Sequence, residues 1–81
     1  MQLKEAKTAF ELGAVGGFRA IRGVVAKGWS LHIIGKQVGH EWSLQTAQGE
    51  LRLFASLDTL IGVAESISGR QFDGSDLWVL K

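Results

Sequence analysis

The sequence predicts a small α+β domain, in which two helices accompany an antiparallel sheet of four to five strands in the order α-β-β-β-β-α-β. Apolar residues recur with helical spacing near the N-terminus and again after residue 56. Period-two alternation occupies the segment between them, and glycines mark most boundaries. A length of 81 residues is enough for a single domain over residues 1–81, with a thin core.

The first helix is predicted by Leu3, Ala6 and Phe10, whose spacing places them on one apolar stripe. Glycines follow at positions 13, 16 and 17, and we expect them to end the helix because glycine accepts the left-handed cap conformation. The same run could suggest a phosphate-binding loop. It lacks the Lys-Ser/Thr pair and does not follow a strand, so the helix stop is favoured.

Two hairpins are predicted in the middle of the chain. Residues 18–26 fit either a helix face or a strand, and the clear alternation from Trp29 onward favours a strand paired through a Lys27-Gly28 turn. Alternation resumes over residues 42–46 and 51–54, with a turn near Gln48-Gly49. We expect these two arms to pair with each other.

The C-terminal part predicts a second helix and a last strand. Ser56 is the expected N-cap, and the helix ends near Ser68-Gly69. A turn over Asp73–Asp76 then precedes the last strand, which consists of Leu77, Trp78, Val79 and Leu80. The predicted core consists of Phe10, Trp29, Leu31, Ile33, Trp42, Leu44, Leu53, Leu57, Leu60, Ile61 and Ile67.

Composition excludes several classes of protein. The chain has no cysteine, which rules out disulfides, zinc knuckles and thiol nucleophiles and permits a reducing compartment such as the cytoplasm. Its apolar runs are too short for a membrane span, and the N-terminal residues lack the apolar segment of a signal peptide. No serine lies in a nucleophile elbow, so we expect neither an enzyme nor a cofactor.

Two groups of histidines and acids are candidate metal ligands. His32 and His40, with Glu41, could form a metal site, but the helical i, i+4 spacing and a fourth ligand are both missing. Isolated surface histidines explain the pair better. Asp73 and Asp76 flank a Gly-Ser pair, yet a calcium loop needs further ligands, so a turn is the better interpretation.

Charge is divided along the chain. Residues 1–36 carry six basic and two acidic groups, a net charge of +4, whereas residues 37–81 carry three basic and six acidic groups, a net charge of −3. Arg19, Arg22 and Lys27 are therefore candidate phosphate contacts, and tryptophans could stack on bases. Core packing explains the tryptophans better. The arginines stay undecided, because a regular strand would place Arg19 and Arg22 on opposite faces.

The segment from Gly28 to Gly69 resembles a known family. It contains a Gly-Trp-Ser-Leu strand, a polar hairpin that ends in Gly49-Glu50-Leu51-Arg52-Leu53-Phe54, and a helix opening Ser56-Leu57-Asp58-Thr59-Leu60. This pattern is similar to the small partition-associated proteins, sometimes called the ParC family, encoded near partition ATPase genes on bacterial plasmids and integrative elements. The resemblance implies a role in maintaining mobile DNA and no transferable active site.

These observations lead to two main hypotheses. The first is a non-catalytic accessory protein of plasmid or mobile-element partition, which acts through protein–protein contacts and self-association. Its candidate partners are partition proteins and a second copy of the chain, bound as a homodimer through Leu77, Trp78, Val79 and Leu80. The alternative is a small nucleic-acid-binding protein that uses Arg19, Arg22 and Lys27 to contact DNA. A hydrolase or metal enzyme is a distant third. No membrane partner is expected.

Overall fold

A computed structural model describes residues 1–23, 27–37 and 39–69 and the backbone of residues 77–80. It confirms the α+β class and the predicted order of elements. These are α1 (Leu3–Glu11), β1 (Val15–Arg22), β2 (Trp29–Gly35), β3 (Glu41–Ser43), β4 (Leu53–Phe54), α2 (Leu57–Ser68) and β5 (Leu77–Leu80). The turn predicted over Asp73–Asp76 lies outside the described residues. Neither of the two described helices combines the length and apolar content that crossing a membrane requires.

The antiparallel pair β1–β2 forms the middle of the sheet. Phe18 lies beside Ile33 and Ala20 beside Leu31, and these four side chains are all buried. Alternation places the intervening residues of both strands on the opposite face. Helix α2 packs against the first face, with α1 alongside it, so one face of the sheet is the core face.

Strand β1 begins earlier than predicted. It starts at Val15 and includes Gly16 and Gly17, which were expected to end the first helix, and of the predicted stops Gly13 alone has the left-handed φ, of +76°. The register shifts between Val15 and Gly17, as in a β-bulge, and a Cβ on Gly16 would lie 3.4 Å from the carbonyl oxygen of Gly35. That distance is an ordinary van der Waals contact, and a Cβ on Gly17 would meet nothing within 4 Å, so the approach of the two strands does not require glycine at either position. Residues 24–26, the end of the predicted strand, lie outside the described residues.

The predicted pairing of the arms at residues 42–46 and 51–54 is confirmed only beside the turn, where Gln45 and Leu51 form an antiparallel bridge. Strands β3 and β4 both pair antiparallel with β2, so they lie end to end along one edge of it. Beside the turn, the Arg52 N–H donates to the Leu44 carbonyl at 3.0 Å and the Thr46 N–H donates to the Glu50 carbonyl at 2.7 Å, and Gly49 in the turn has φ +85°. Pairing with β2 prevailed because it places Leu44, fully buried, and Phe54 in the core.

Strand β5 pairs parallel with β1, and the sheet order is therefore β3-β2-β1-β5. A parallel partner requires a connection that crosses the sheet, which in this chain includes α2. The sequence did not predict the parallel direction. In the observed strand order, β5 lies at the end of the sheet and not in its middle.

The second helix has the predicted caps. The Ser56 hydroxyl accepts the backbone N–H of Thr59 at 3.3 Å, which satisfies one of the free donors in the first turn. Gly69 closes the other end with φ +74°, and its N–H donates to the Glu65 carbonyl at 2.7 Å. Leu60, Ala64 and Ile67 form the buried stripe between these caps.

The core is partly as predicted. Five of the predicted residues are buried, namely Leu31, Ile33, Leu44, Leu60 and Ile67. Four others are half-buried against the core, namely Phe10, Trp29, Trp42 and Leu57. The prediction is wrong for Leu53, which is 41% exposed, and Ile61 lies outside the core cluster. Leu53 belongs to a two-residue strand whose other member, Phe54, faces the core. Six residues of the buried apolar core were not predicted, namely Ala6, Val15, Phe18, Ala20, Phe54 and Ala64.

Replacing Leu60 with alanine should destabilise the protein by about 2–5 kcal/mol, since a fully buried leucine leaves a cavity. The matched control is Leu12→Ala, because Leu12 is 79% exposed and its removal should cost less than about 0.5 kcal/mol. Urea unfolding monitored by tryptophan fluorescence gives both values. Equal destabilisation by the two changes would contradict this description of the core.

Gly28→Ala and Gly62→Ala should change stability in opposite directions. Gly28 has φ +118°, and a Cβ there would lie 2.8 Å from the Phe54 carbonyl oxygen, so alanine should cost about 1 kcal/mol or more. Gly62 lies inside α2 with open space around the Cβ position, and alanine there should add about 0.5–1 kcal/mol. Thermal unfolding of both variants tests this pair, and a stabilised Gly28→Ala protein would refute the tight approach of β4.

Candidate functional site

The sheet face opposite α2 carries a connected set of polar side chains, and we call this face the open face. Arg19 on β1 lies directly beside His32 on β2. Ser30 shares the face because it is two residues from His32, and Glu41 reaches it because it pairs with Ile34. Three strands therefore supply one cluster.

Hydrogen bonds link the cluster in a row. The Ser30 hydroxyl lies 3.1 Å from His32 Nε2, and His32 Nδ1 lies 3.2 Å from Glu41 Oε2. The other carboxylate oxygen, Oε1, accepts from the Arg19 guanidinium at 3.0 Å. One carboxylate thus holds a cation and an imidazole at the same time.

The ring N–H groups of His32 and the Ser30 hydroxyl have an acceptor in either protonation state of His32. When the ring is neutral, Nδ1–H donates to Glu41 and Nε2 accepts the Ser30 hydroxyl proton. When the ring is charged, Nε2–H donates to Ser30, whose hydroxyl then donates to the Ile21 carbonyl oxygen 3.3 Å away. Protonation of His32 therefore moves the Ser30 hydroxyl proton from His32 Nε2 to the Ile21 carbonyl oxygen, and the contacts of His32 with Ser30 and Glu41 are kept.

Burial lowers the pKa of His32 below its ordinary value of 6.5. Glu41 opposes this shift through its charge and its hydrogen bond, whereas the charge of Arg19 adds to it. Desolvation is the largest of these effects. The neutral ring therefore predominates at neutral pH.

The row Ser30–His32–Glu41 has the order of a serine-hydrolase triad, which sequence reasoning missed. Its surroundings differ from those of a nucleophile. Ser30 is 6% exposed, and it lies on a strand that pairs with β1 on one edge and with β3 and β4 on the other. Ladder pairing commits the backbone N–H groups that an oxyanion hole would need. The geometry thus orients charged groups and offers no activated hydroxyl to solvent.

The three candidate nucleic-acid contacts do not form one patch. Arg19 lies on the open face with its guanidinium on Glu41. Arg22 is exposed and, three residues along a regular stretch of β1, lies on the opposite face. Lys27 is exposed in the connection to β2. DNA binding through these residues stays a prediction.

The candidate metal residues are also separated. His32 and Glu41 meet, but the His40 ring packs edge-on against Trp42, with centroids 5.7 Å apart and an interplanar angle of 61°. Across the described ranges, no three His, Cys, Asp or Glu residues are grouped so that they could hold a metal ion.

The register explains why the sequence did not reveal the cluster. A two-residue turn at Lys27-Gly28 would have paired Arg19 with Lys36. The chain instead closes its first hairpin with Gly23 donating to the Gly28 carbonyl at 2.8 Å, which places Arg19 beside His32. Alternation alone already placed Ser30 and His32 on one face, and this was the available signal.

The lowered pKa of His32 predicts a pH dependence of stability. Because the folded pKa lies below 6.5, the unfolded chain binds more protons as the pH falls through that value, so stability should fall from about pH 7.5 to pH 5.5. Urea unfolding across this range measures the slope. His32→Gln should flatten it, while His40→Gln, at an exposed position, should leave it as in the parent. An unchanged slope in His32→Gln would refute the assignment.

Comparison with known proteins identifies no relative of this chain. The chain matches no protein-family model, no curated protein and no solved structure. The arguments about its function therefore start from the open face, from the position of β5 at the end of the sheet and from the charges on the described surface.

Proposed function

We propose that the protein is a non-catalytic accessory protein that acts through protein–protein contacts and self-association. The observation that carries this proposal is the position of β5 at the end of the sheet. Within the described residues, β1 is the one strand that pairs with β5, so the outer edge of β5 has no described partner. A second copy of the chain can add to that edge and extend the sheet.

The charges of the open face favour a protein partner over a nucleic acid. Arg19, the most central of the candidate phosphate contacts, already shares Glu41 with His32. A phosphate would have to displace a carboxylate from it. Around this compensated centre lie Ile21 and Ile34, both half-buried, and Leu53, 41% exposed. A mixed surface of this kind resembles a protein interface.

The strand register joins the edge to the open face. Trp78 of β5 lies beside Arg19, and Leu80 lies beside Ile21. Since parallel neighbours share a face, both positions belong to the open face. Self-association at β5 would therefore continue the open face from one protomer to the next.

The interface is expected to be weak. Strand β5 has four residues, which is about 13 Å of edge at roughly 3.3 Å per residue. Such an edge supplies few hydrogen bonds, and apolar burial must contribute the rest, at about 25 cal/mol per Å². An association in the micromolar range is the consequence, and other proteins can compete for the same edge.

The cellular context of the proposal comes from the resemblance to the partition-associated proteins. Under it, the chain assists plasmid or mobile-element partition in the cytoplasm, and its partners are partition proteins. The contact with those proteins uses the same edge and open face. The resemblance alone supports this part of the proposal.

Sedimentation velocity across a concentration series up to tens of micromolar tests self-association. The parent should form a concentration-dependent dimer, and Trp78→Ser combined with Leu80→Ser should shift the equilibrium to monomer. The control is Leu12→Ser combined with Leu51→Ser, which removes two exposed leucines away from β5 and should dimerise like the parent. Leu53→Ser, on the open face, should weaken the dimer by a smaller factor.

Circular dichroism melts of each variant separate loss of the dimer from loss of the fold. A parent that stays monomeric throughout the series refutes the proposal without reference to any variant. A β5 variant that folds and dimerises like the parent also refutes it.

A further inference from the structure

A shallow groove of about 380 Å³ lies away from the open face, between the start of α1 and the segment that joins β3 to β4. Its walls are Gln2, Leu3 and Lys4 on one side, and residues 45–47 with Arg52 on the other. This volume is within the range of small-molecule sites. We call it the basic groove.

The two walls of the basic groove are fixed to each other. Gln2 and Gln45 form a parallel bridge, and the Gln2 side chain donates to the Ala47 carbonyl at 3.2 Å. The Gln45 amide in turn donates to the Gly49 carbonyl at 3.2 Å. The Gln2 amide thus joins the two walls, and the Gln45 amide fixes the turn of the second wall.

The charged residues of the basic groove are both cations. Lys4 comes from α1 and Arg52 from the other wall, and no acidic residue lines the groove. Among the described residues, neither Lys4 nor Arg52 has a carboxylate within ion-pair distance. This contrasts with Arg19 on the open face.

Arg52 is positioned without using its hydrogen-bond donors. Its guanidinium carbon lies 4.9 Å from the centroid of the Phe54 ring, a cation–π contact with a side chain that is 3% exposed. Stacking leaves the in-plane N–H groups available to a planar or tetrahedral anion. Thr46 adds a further donor, because its hydroxyl oxygen accepts the Glu50 N–H and its own proton is left to donate.

We propose that the basic groove binds a phosphate monoester. Two cations and a hydroxyl match the charge and the acceptor oxygens of a phosphate dianion better than those of a carboxylate. Leu3 and Ala47 provide apolar contact for the carbon attached to the ester oxygen. This site is independent of self-association, since none of its residues belongs to β5 or to the open face.

Nuclear magnetic resonance titrations at constant ionic strength test the proposal, with inorganic phosphate, O-phospho-L-serine and acetate as probes. The first two should give saturable shifts of the backbone amides of Leu3, Lys4, Thr46 and Arg52, and phosphoserine should bind more tightly than phosphate. Acetate should bind at least tenfold more weakly. Affinity for phosphoserine should rise between about pH 5.5 and 7.5, as the second phosphate proton dissociates.

Variants locate the site. Lys4→Gln and Arg52→Gln should each weaken phosphoserine binding about tenfold or more, whereas Arg52→Lys, which keeps the charge and loses the stacked fork, should have an intermediate effect. Arg22→Gln and Lys27→Gln remove exposed cations outside the groove and are the matched controls. Preserved amide dispersion in each spectrum shows that the variant is folded.

The source of the phosphate is decided by a capped tripeptide, acetyl-Ala-phosphoserine-Ala-amide. Tighter binding of the peptide than of phosphoserine identifies a phosphorylated protein segment as the ligand, and equal or weaker binding identifies a small phosphorylated molecule. Shifts that do not saturate, that acetate reproduces, or that persist in both glutamine variants would overturn the proposal.

Discussion

The antiparallel ladder between β1 and β2 is the interaction on which the rest of the structure depends. Its register places Phe18 beside Ile33 on the core face, and in the same step places Arg19 beside His32 on the open face. Because strand side chains alternate, one register decides both faces at once. A shift of one residue would expose the core and bury the arginine.

The elements around this ladder complete it from three sides. Strands β3 and β4 share the far edge of β2, β5 takes the far edge of β1, and α2 covers the core face. The chain has no proline, so its terminal strands lack one of the usual obstacles to further pairing. In a domain of this size the sheet edges are a large part of the surface, which is why the proposed function depends on one of them.

The division of charge along the sequence differs from its division in space. The N-terminal part carries the net positive charge, yet Arg19 is paired with Glu41 from the C-terminal part, on the other side of β2. Lys4 and Arg52 belong to opposite parts of the sequence, and both line the basic groove without an ion-pair partner among the described residues. Local net charge in a sequence is therefore a poor guide to where a folded chain presents unpaired cations.

Local rules predicted much of the fold because they act within a few residues. The apolar stripe of Leu3, Ala6 and Phe10 lies on α1, and Ser56 and Gly69 cap α2 because these residues satisfy or terminate a helix wherever it forms. Alternation from Trp29 identified β2. Leu53, by contrast, has the same alternating pattern as a core strand, and only the two-residue pairing of β4 with β2 leaves it exposed.

The sequence by itself determined the class of the domain, the order of its elements, the caps of α2 and the shared face of Ser30 and His32. The tertiary structure alone decided which strands pair, the parallel direction of β5, the row from Ser30 to Arg19 and the walls of the basic groove. The physical reason is distance along the chain. Caps and alternation depend on neighbours within one turn or one strand, whereas Arg19 meets Glu41, and Lys4 and Arg52 come to line one groove, only through a register that the whole core selects.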